Sequence, residues 1–285
     1  MADPAGADVW VVEPRAMGAG ARVREVWRYR GLLVYFSRQI LLDQVRQSPL
    51  SWLWLILRSG APIVVTAFVF GEVARFGSGE VPYLLFLIVG MTGWNLFEFS
   101  LLAATRSMSQ HSRLLTRVYF PRLILPVAST AEGVLRFGVL ALLVLVVLLY
   151  YLVTQGRWYV QARPELLLSL AAVLLAWLFA VALGLWTSAL DAPSRDVRYS
   201  VRYFLRFWFF LTPVLYPLSL VPERWEWLIW LNPMTGIVET FRWSLLGVGE
   251  LSLPSLAASL GLLVIVGVGG LLFFGRAEAS LLDSL

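Results

Sequence analysis

Arginine carries nearly all the cationic binding capacity of this sequence. Its 23 residues of the Lys/Arg class are all arginine, and one group of them stands between two long apolar stretches. That interval, Arg106 to Arg122, holds Arg113, Arg117, His111 and the closing run Tyr119-Phe120-Pro121-Arg122, with no acidic residue. Guanidinium groups are permanent cations that grip phosphates and carboxylates through paired N–H donors. Such a loop suits lipid phosphates or an acidic protein surface. Bond-making chemistry has few candidates. Without lysine there is no phosphate-loop amine of the nucleotide-binding type and no Schiff base. With no cysteine and one histidine, there is no thiolate, no zinc cluster and no placed Ser-His pair. The chain is expected to be no enzyme and to hold no metal or cofactor of its own.

Two further sets of residues have suggestive spacing. Glu132 and Arg136 stand four apart with the acid N-terminal, as an internal helical ion pair requires; a structural pair and a proton relay are both compatible with that spacing. Aromatic residues are densest at Tyr83, Phe86, Trp94 and Phe97, and again at Tyr203, Phe207, Trp208, Phe210 and Tyr216. Rings stack on the C–H faces of sugars and tolerate sliding, as a polymer path needs. They equally suit an interfacial belt or helix packing.

The elements that hold these residues are membrane spans. The chain is 59% hydrophobic and 14% charged, with mean hydropathy +0.75, far from the composition of a soluble domain. A hydrocarbon core needs about 20 apolar residues per helix, and about six windows qualify: about 52–74, 81–104, 123–151, 166–189, 203–221 and 254–274. The expected fold is all-α and polytopic, with residues 51–285 forming the membrane domain. The third window is overlong, and the fifth is the shortest.

Orientation follows from charge. Arg15, Arg22, Arg24, Arg28, Arg30, Arg38 and Arg46 precede the first window, Arg106 to Arg122 follows the second, and Arg195, Arg198, Arg202 and Arg206 follow the fourth. The opposite side carries fewer arginines among glutamates such as Glu72, Glu80, Glu223 and Glu226. The positive-inside bias then puts both termini in the cytoplasm. The net charge of +5 needs no nucleic-acid partner.

Residues 1–23 lack an apolar run and read as a mobile cytoplasmic tail with no signal peptide. Residues 24–50 read as an amphipathic helix, with Glu25, Arg28, Gln39, Asp43 and Arg46 within an arc of about 60°. Leu32 intrudes on that arc. The helix either lies in the cytoplasmic interface or packs on its own protein. Across the membrane, about 222–247 suggests a pair of short helices entering the outer leaflet, broken at Asn232-Pro233 and anchored by Trp227 and Trp230.

Several short strings now align in order. Gln47-Ser48-Pro49-Leu50-Ser51-Trp52, Val81-Pro82-Tyr83 through Trp94-Asn95-Leu96-Phe97, Tyr119-Phe120-Pro121-Arg122, Thr212-Pro213-Val214-Leu215-Tyr216-Pro217 and Asn232-Pro233-Met234 with Glu239 and Arg242 resemble the permease subunits of bacterial polysaccharide exporters. These are ABC type-2 permeases for O-antigen, teichoic acid and related glycans. The resemblance covers about 27–275, whereas Arg58-Ser59-Gly60-Ala61-Pro62 is more polar than the entry helix expected of the family.

The resemblance implies a homodimer in the bacterial inner membrane, working with two separate ATPase subunits that bind ATP and Mg. It implies a lipid-linked polysaccharide as substrate. It also implies that Thr105 to Thr116 forms a coupling helix seated on the ATPase, through Arg106, His111, Arg113, Leu114, Leu115 and Arg117. The alternative for these arginines is topology and lipid phosphate contact. Pro121 and Pro126 can set a rigid corner beside it. A type-2 permease for a lipid or drug, and an ion-coupled secondary transporter, are the competing functions; the second needs an internal repeat and intramembrane carboxylates, and no repeat is visible.

Overall fold

Proline and glycine punctuate the apolar runs, and the helices begin and end where they fall. The computed structural model describes residues 18–46, 50–77, 79–111, 120–160, 163–194, 196–249 and 251–284, with side chains as far as Ala277. The helices are α1 Ala19–Arg28, α2 Arg30–Arg46, α3 Ser51–Ala67, α4 Tyr83–Gln110, α5 Ile124–Ser129, α6 Ala131–Gln155, α7 Leu166–Asp191, α8 Asp196–Leu211, α9 Glu223–Leu231, α10 Pro233–Leu246 and α11 Leu253–Ser284. No strand occurs among the described residues. Pro82 caps the start of α4, and Gly156 and Gly247 end α6 and α10 in the left-handed conformation at φ 64° and 71°. Such a cap suits a residue without Cβ.

Among the described residues, five helical segments are long and apolar enough to cross a membrane: Ser51–Val73, Tyr83–Gln110, Ile124–Gln155, Leu166–Asp191 and Leu253–Ala277. The first runs on from α3 into a π-helical turn, Phe68–Val73, after the donor lost at Pro62. The predicted fifth span, 203–221, is not one helix. Helix α8 starts earlier, at Asp196, and stops at Leu211; a short 3-10 turn, Leu218–Leu220, follows. Pro213 has no N–H to extend the helix, and proline disfavours the helical conformation in the residue before it, here Thr212.

Helix α4 is the axis of the molecule, packed on α5, α6, α7, α8 and α10. In lipid, apolar side chains gain little by leaving the solvent, so close van der Waals packing and small residues decide the contacts. Gly133 lets α6 approach α4 closely: a Cβ there would lie 2.6 Å from the backbone nitrogen of Ser100. At Gly184 of α7 a Cβ would stand 2.5 Å from that of Ala104.

The helix predicted from residue 24 is two helices meeting at Tyr29, and the first already begins at Ala19. Helix α2 packs along α5 and α6. Phe36 meets Phe120 at 5.6 Å between centroids, and Val26 and Leu32 join the same cluster. This explains Leu32 in the polar arc: it faces protein. Trp27, Val34 and Tyr35 remain exposed.

Candidate functional site

At the arginine-rich end, α4 is tied to its neighbours by two ionic contacts. The first follows from the Gly133 approach, which brings Glu132 of α6 beside α4. Arg106 Nη2 donates to Glu132 Oε2, and Arg136 lies on the other oxygen at 3.8 Å. Sequence spacing pairs Glu132 with Arg136 alone; the closer partner comes from another helix. Arg136 also lies over the ring of Phe99, 3.8 Å from its centroid.

The second contact joins three helices. Asp191 at the end of α7 receives Arg198 Nε at 3.1 Å and Nη2 at 2.8 Å, and the Arg198 backbone N–H at 3.1 Å. Ser109 of α4 completes it, donating to Asp191 at 2.8 Å and accepting from Arg198 at 2.7 Å. Asp191 has no exposed surface. A carboxylate so enclosed is a latch between α4, α7 and α8. Sequence reasoning missed it because the partners lie on different elements.

Of the predicted coupling residues, Arg113, Leu114, Leu115 and Arg117 lie outside the described residues, as does Tyr119 of the predicted loop corner. His111 ends α4, its Nδ1 2.9 Å from the carbonyl oxygen of Ser107. Phe120 and Pro121 are buried against the N-terminal helices and the bundle, and Arg122 is half-buried.

The opposite end holds the broken segment after α8. Its carbonyls are not left orphaned. Arg242 of α10 donates to Pro213 O at 3.0 Å and Val214 O at 3.2 Å, and Tyr83 of α4 donates to Leu215 O at 2.6 Å. Asn232 donates to Thr212 Oγ1 at 2.8 Å, while its oxygen accepts from Trp208 Nε1 at 2.8 Å and caps α10 through Met234 N at 3.0 Å. Arg242 is itself wholly buried, held by Glu239 at 2.5 Å and by the Phe86 ring at 3.7 Å. Irregular backbone at membrane depth is tolerated only with such internal partners.

The predicted rings separate into two groups. Tyr83, Phe86, Trp94 and Phe97 are buried within the chain. Phe97 stacks on Phe179 at 5.6 Å and meets Trp208 at 5.3 Å. Trp208 and Tyr216 are half-buried, and Tyr203, Phe207 and Phe210 are exposed on α8. In the pair α9 and α10, Trp227 is exposed, Trp230 half-buried, and Asn232 and Pro233 buried. Glu98, deep in α4, accepts from Trp94 Nε1 at 2.8 Å.

Comparison with known proteins supplies a family for the chain. A family described as ABC-2 type transporter matches residues 31–246. The chain is 31% identical over 222 residues to the O-antigen export system permease protein RfbA of Myxococcus xanthus, covering 77% of this chain and 82% of that one. A protein of the same name from Klebsiella pneumoniae is 26% identical over 212 residues, 74% of this chain and 78% of its own.

Proposed function

The chain belongs to the ABC-2 type transporter family, and from that membership we propose that it is the membrane subunit of an ATP-driven exporter of a lipid-linked cell-surface polysaccharide. It works as a homodimer in the bacterial inner membrane, with both termini cytoplasmic and two separate ATPase subunits that bind ATP and Mg. The observation that carries this reading is the similarity, along about three quarters of the chain, to proteins named for O-antigen export. The arginine asymmetry supports the orientation, and the missing lysine supports an external source of ATP hydrolysis.

In this reading, the loop from Arg106 to Arg122 receives motion from the ATPase. The described part of that segment, Thr105 to Gln110, is the end of α4, and Arg113 and Arg117 contact the partner. A tilt of α4 reaches α6 through Arg106 and Glu132, and reaches α7 and α8 through Ser109, Asp191 and Arg198. Tyr203, Phe207 and Phe210, exposed on α8, offer rings to the polymer, whereas the buried rings shape the helix that carries them. Helices α1 and α2 lie at the cytoplasmic interface with Trp27 toward the headgroups. The pair α9 and α10 dips into the outer leaflet as a re-entrant hairpin that shapes the exit.

Proteoliposomes containing the chain and its ATPase test the proposal by ATP-dependent movement of lipid-linked polymer. Charge reversal at Arg113 or Arg117 is expected to abolish stimulated hydrolysis. Unchanged assembly and hydrolysis would remove the coupling role, and movement of lipid or drug without polymer would overturn the substrate.

A further inference from the structure

At the end opposite the arginine-rich loop, the segment after α8 also walls a cavity. The cavity measures about 510 Å³, a size within the range of about 300–1,000 Å³ usual for small-ligand pockets. It lies between α9 and α10, the 3-10 turn Leu218–Leu220, the start of α4 and the turn after α10. Among the described residues its wall mixes two kinds of surface: Phe86 and Trp230 bring rings, whereas Ser219, Glu226 and Glu239 bring oxygens.

Glu239 is the fixed acceptor. Arg242 holds its Oε1 at 2.5 Å, and the side chain is almost wholly buried. Its Oε2 lies toward Gly249, where an added Cβ would stand 2.5 Å from that oxygen. Gly249 also lines the cavity, and its φ of 91° suits a residue without Cβ. The glycine therefore keeps the turn clear of a carboxylate that belongs to the cavity wall.

Charge selects the class of ligand. Arg242 compensates Glu239, so Glu226 carries the uncompensated charge of the described wall. A calcium ion takes about six to eight oxygens, several from carboxylates, more than this wall offers. An anion would meet two carboxylates, and an apolar ligand would cover Ser219 and Glu226 without partners. A neutral sugar fits. Its hydroxyls donate to carboxylates in charge-assisted bonds, and its C–H face stacks on an indole. Trp230, half-buried, supplies that ring.

We propose that this cavity binds one unit of a neutral saccharide, with Trp230 against the ring face and Glu226 and Glu239 accepting from its hydroxyls. That the unit belongs to a passing polymer rests on the export reading; the fit of a sugar to the wall does not. The cavity is separate from Tyr203, Phe207 and Phe210 on α8, none of which lines it. Those rings permit sliding, whereas the carboxylates give a directional hold.

The full chain in phosphatidylcholine nanodiscs, free of sugar-headed detergent, is probed by saturation-transfer NMR. The probes are the methyl glycosides of glucose, galactose, mannose and N-acetylglucosamine, with glucuronic acid as the anionic comparison. At least one neutral glycoside is expected to receive saturation on the C–H protons of one ring face, and glucuronic acid little. Trp230→Ala is expected to weaken binding about tenfold, the worth of a stacked ring. Glu226→Gln, at an exposed position, weakens it about threefold and reduces the discrimination against glucuronic acid. Ser219→Trp, also from an exposed position, fills the cavity and abolishes binding with melting unchanged, which keeps the test open where Trp230→Ala fails to fold. Saturation of no neutral glycoside, or equal saturation in the wild type and Ser219→Trp, overturns the site. Preference for glucuronic acid, or displacement of the glycoside by calcium, assigns the cavity to a charged ligand and overturns it too. Polymer movement in proteoliposomes with no glycoside bound sinks this site alone; glycoside binding without polymer movement sinks the export reading alone.

Discussion

Arg242 donates to the carbonyl of Pro213 at 3.0 Å, joining a buried guanidinium on α10 to the backbone of the break after α8. The donor matches a need created by sequence. Pro213 ends the helical ladder, and the carbonyls beyond it need partners that the ladder no longer supplies. Arg242→Met leaves Glu239 charged and buried, and leaves two carbonyls without this donor. It is expected to destabilise by about 3–5 kcal/mol, read as a lowered melting temperature by tryptophan fluorescence in nanodiscs. Lysine at 242 recovers only part of the loss, because an ammonium lacks the planar fork. Full recovery by lysine would show that charge alone suffices there.

Gly133 sets the distance between α4 and α6. A methyl group at that position meets the backbone of Ser100 and the oxygen of Leu96, which cannot swing away as a flexible side chain can. Gly133→Ala is expected to cost about 1–3 kcal/mol and to move Glu132 away from Arg106. The same substitution at Gly138, where an added Cβ would meet nothing within 4 Å, serves as the control and should change melting little. Equal effects at the two glycines would discard the packing argument.

The apolar runs and their stops are local facts, which is why α4, α7 and α11 were legible in the sequence: Pro82 and Gly247 act where they stand. The break after α8 was in view as Thr212-Pro213, yet the apolar average over 203–221 runs straight across it. Hydropathy registers transfer to lipid and is blind to a missing N–H. The site charges were legible only as far as one helix reaches. Glu132 and Arg136 share a face at four residues' spacing, but Arg106 comes from a different helix, and Asp191 meets Arg198 around a turn. Depth marked Glu132 and Arg136 as needing partners, and the spacing along one helix offered them only each other.

The aromatic residues give a prediction that separates packing from transport. Phe97 has no exposed surface and lies against Phe179 and Trp208, so Phe97→Ala is expected to cost about 3–5 kcal/mol. Tyr203 and Phe207 are exposed and 4.9 Å apart. Their double alanine variant should melt within about 0.5 kcal/mol of the wild type while polymer export falls. Unchanged export in that variant, with the ATPase still stimulated, would remove these rings from the path.

The Asp191 and Arg198 contact tests how the arginine-rich end holds together. The pair is bidentate, one member is wholly buried, and Ser109 bridges it to α4. Asp191→Asn keeps the shape and removes the charge, while Arg198→Gln removes the fork. Each single change should destabilise, and the double change should cost less than their sum. The cycle is expected to give a coupling of about 2 kcal/mol, since removing both charges leaves neither buried alone. Stimulated ATP hydrolysis in the complex supplies the functional readout. If the latch carries motion from α4 to α8, Asp191→Asn leaves ATPase binding intact and lowers polymer export per ATP hydrolysed. An additive cycle would show that the two residues act independently, and an unchanged export ratio would confine the latch to folding.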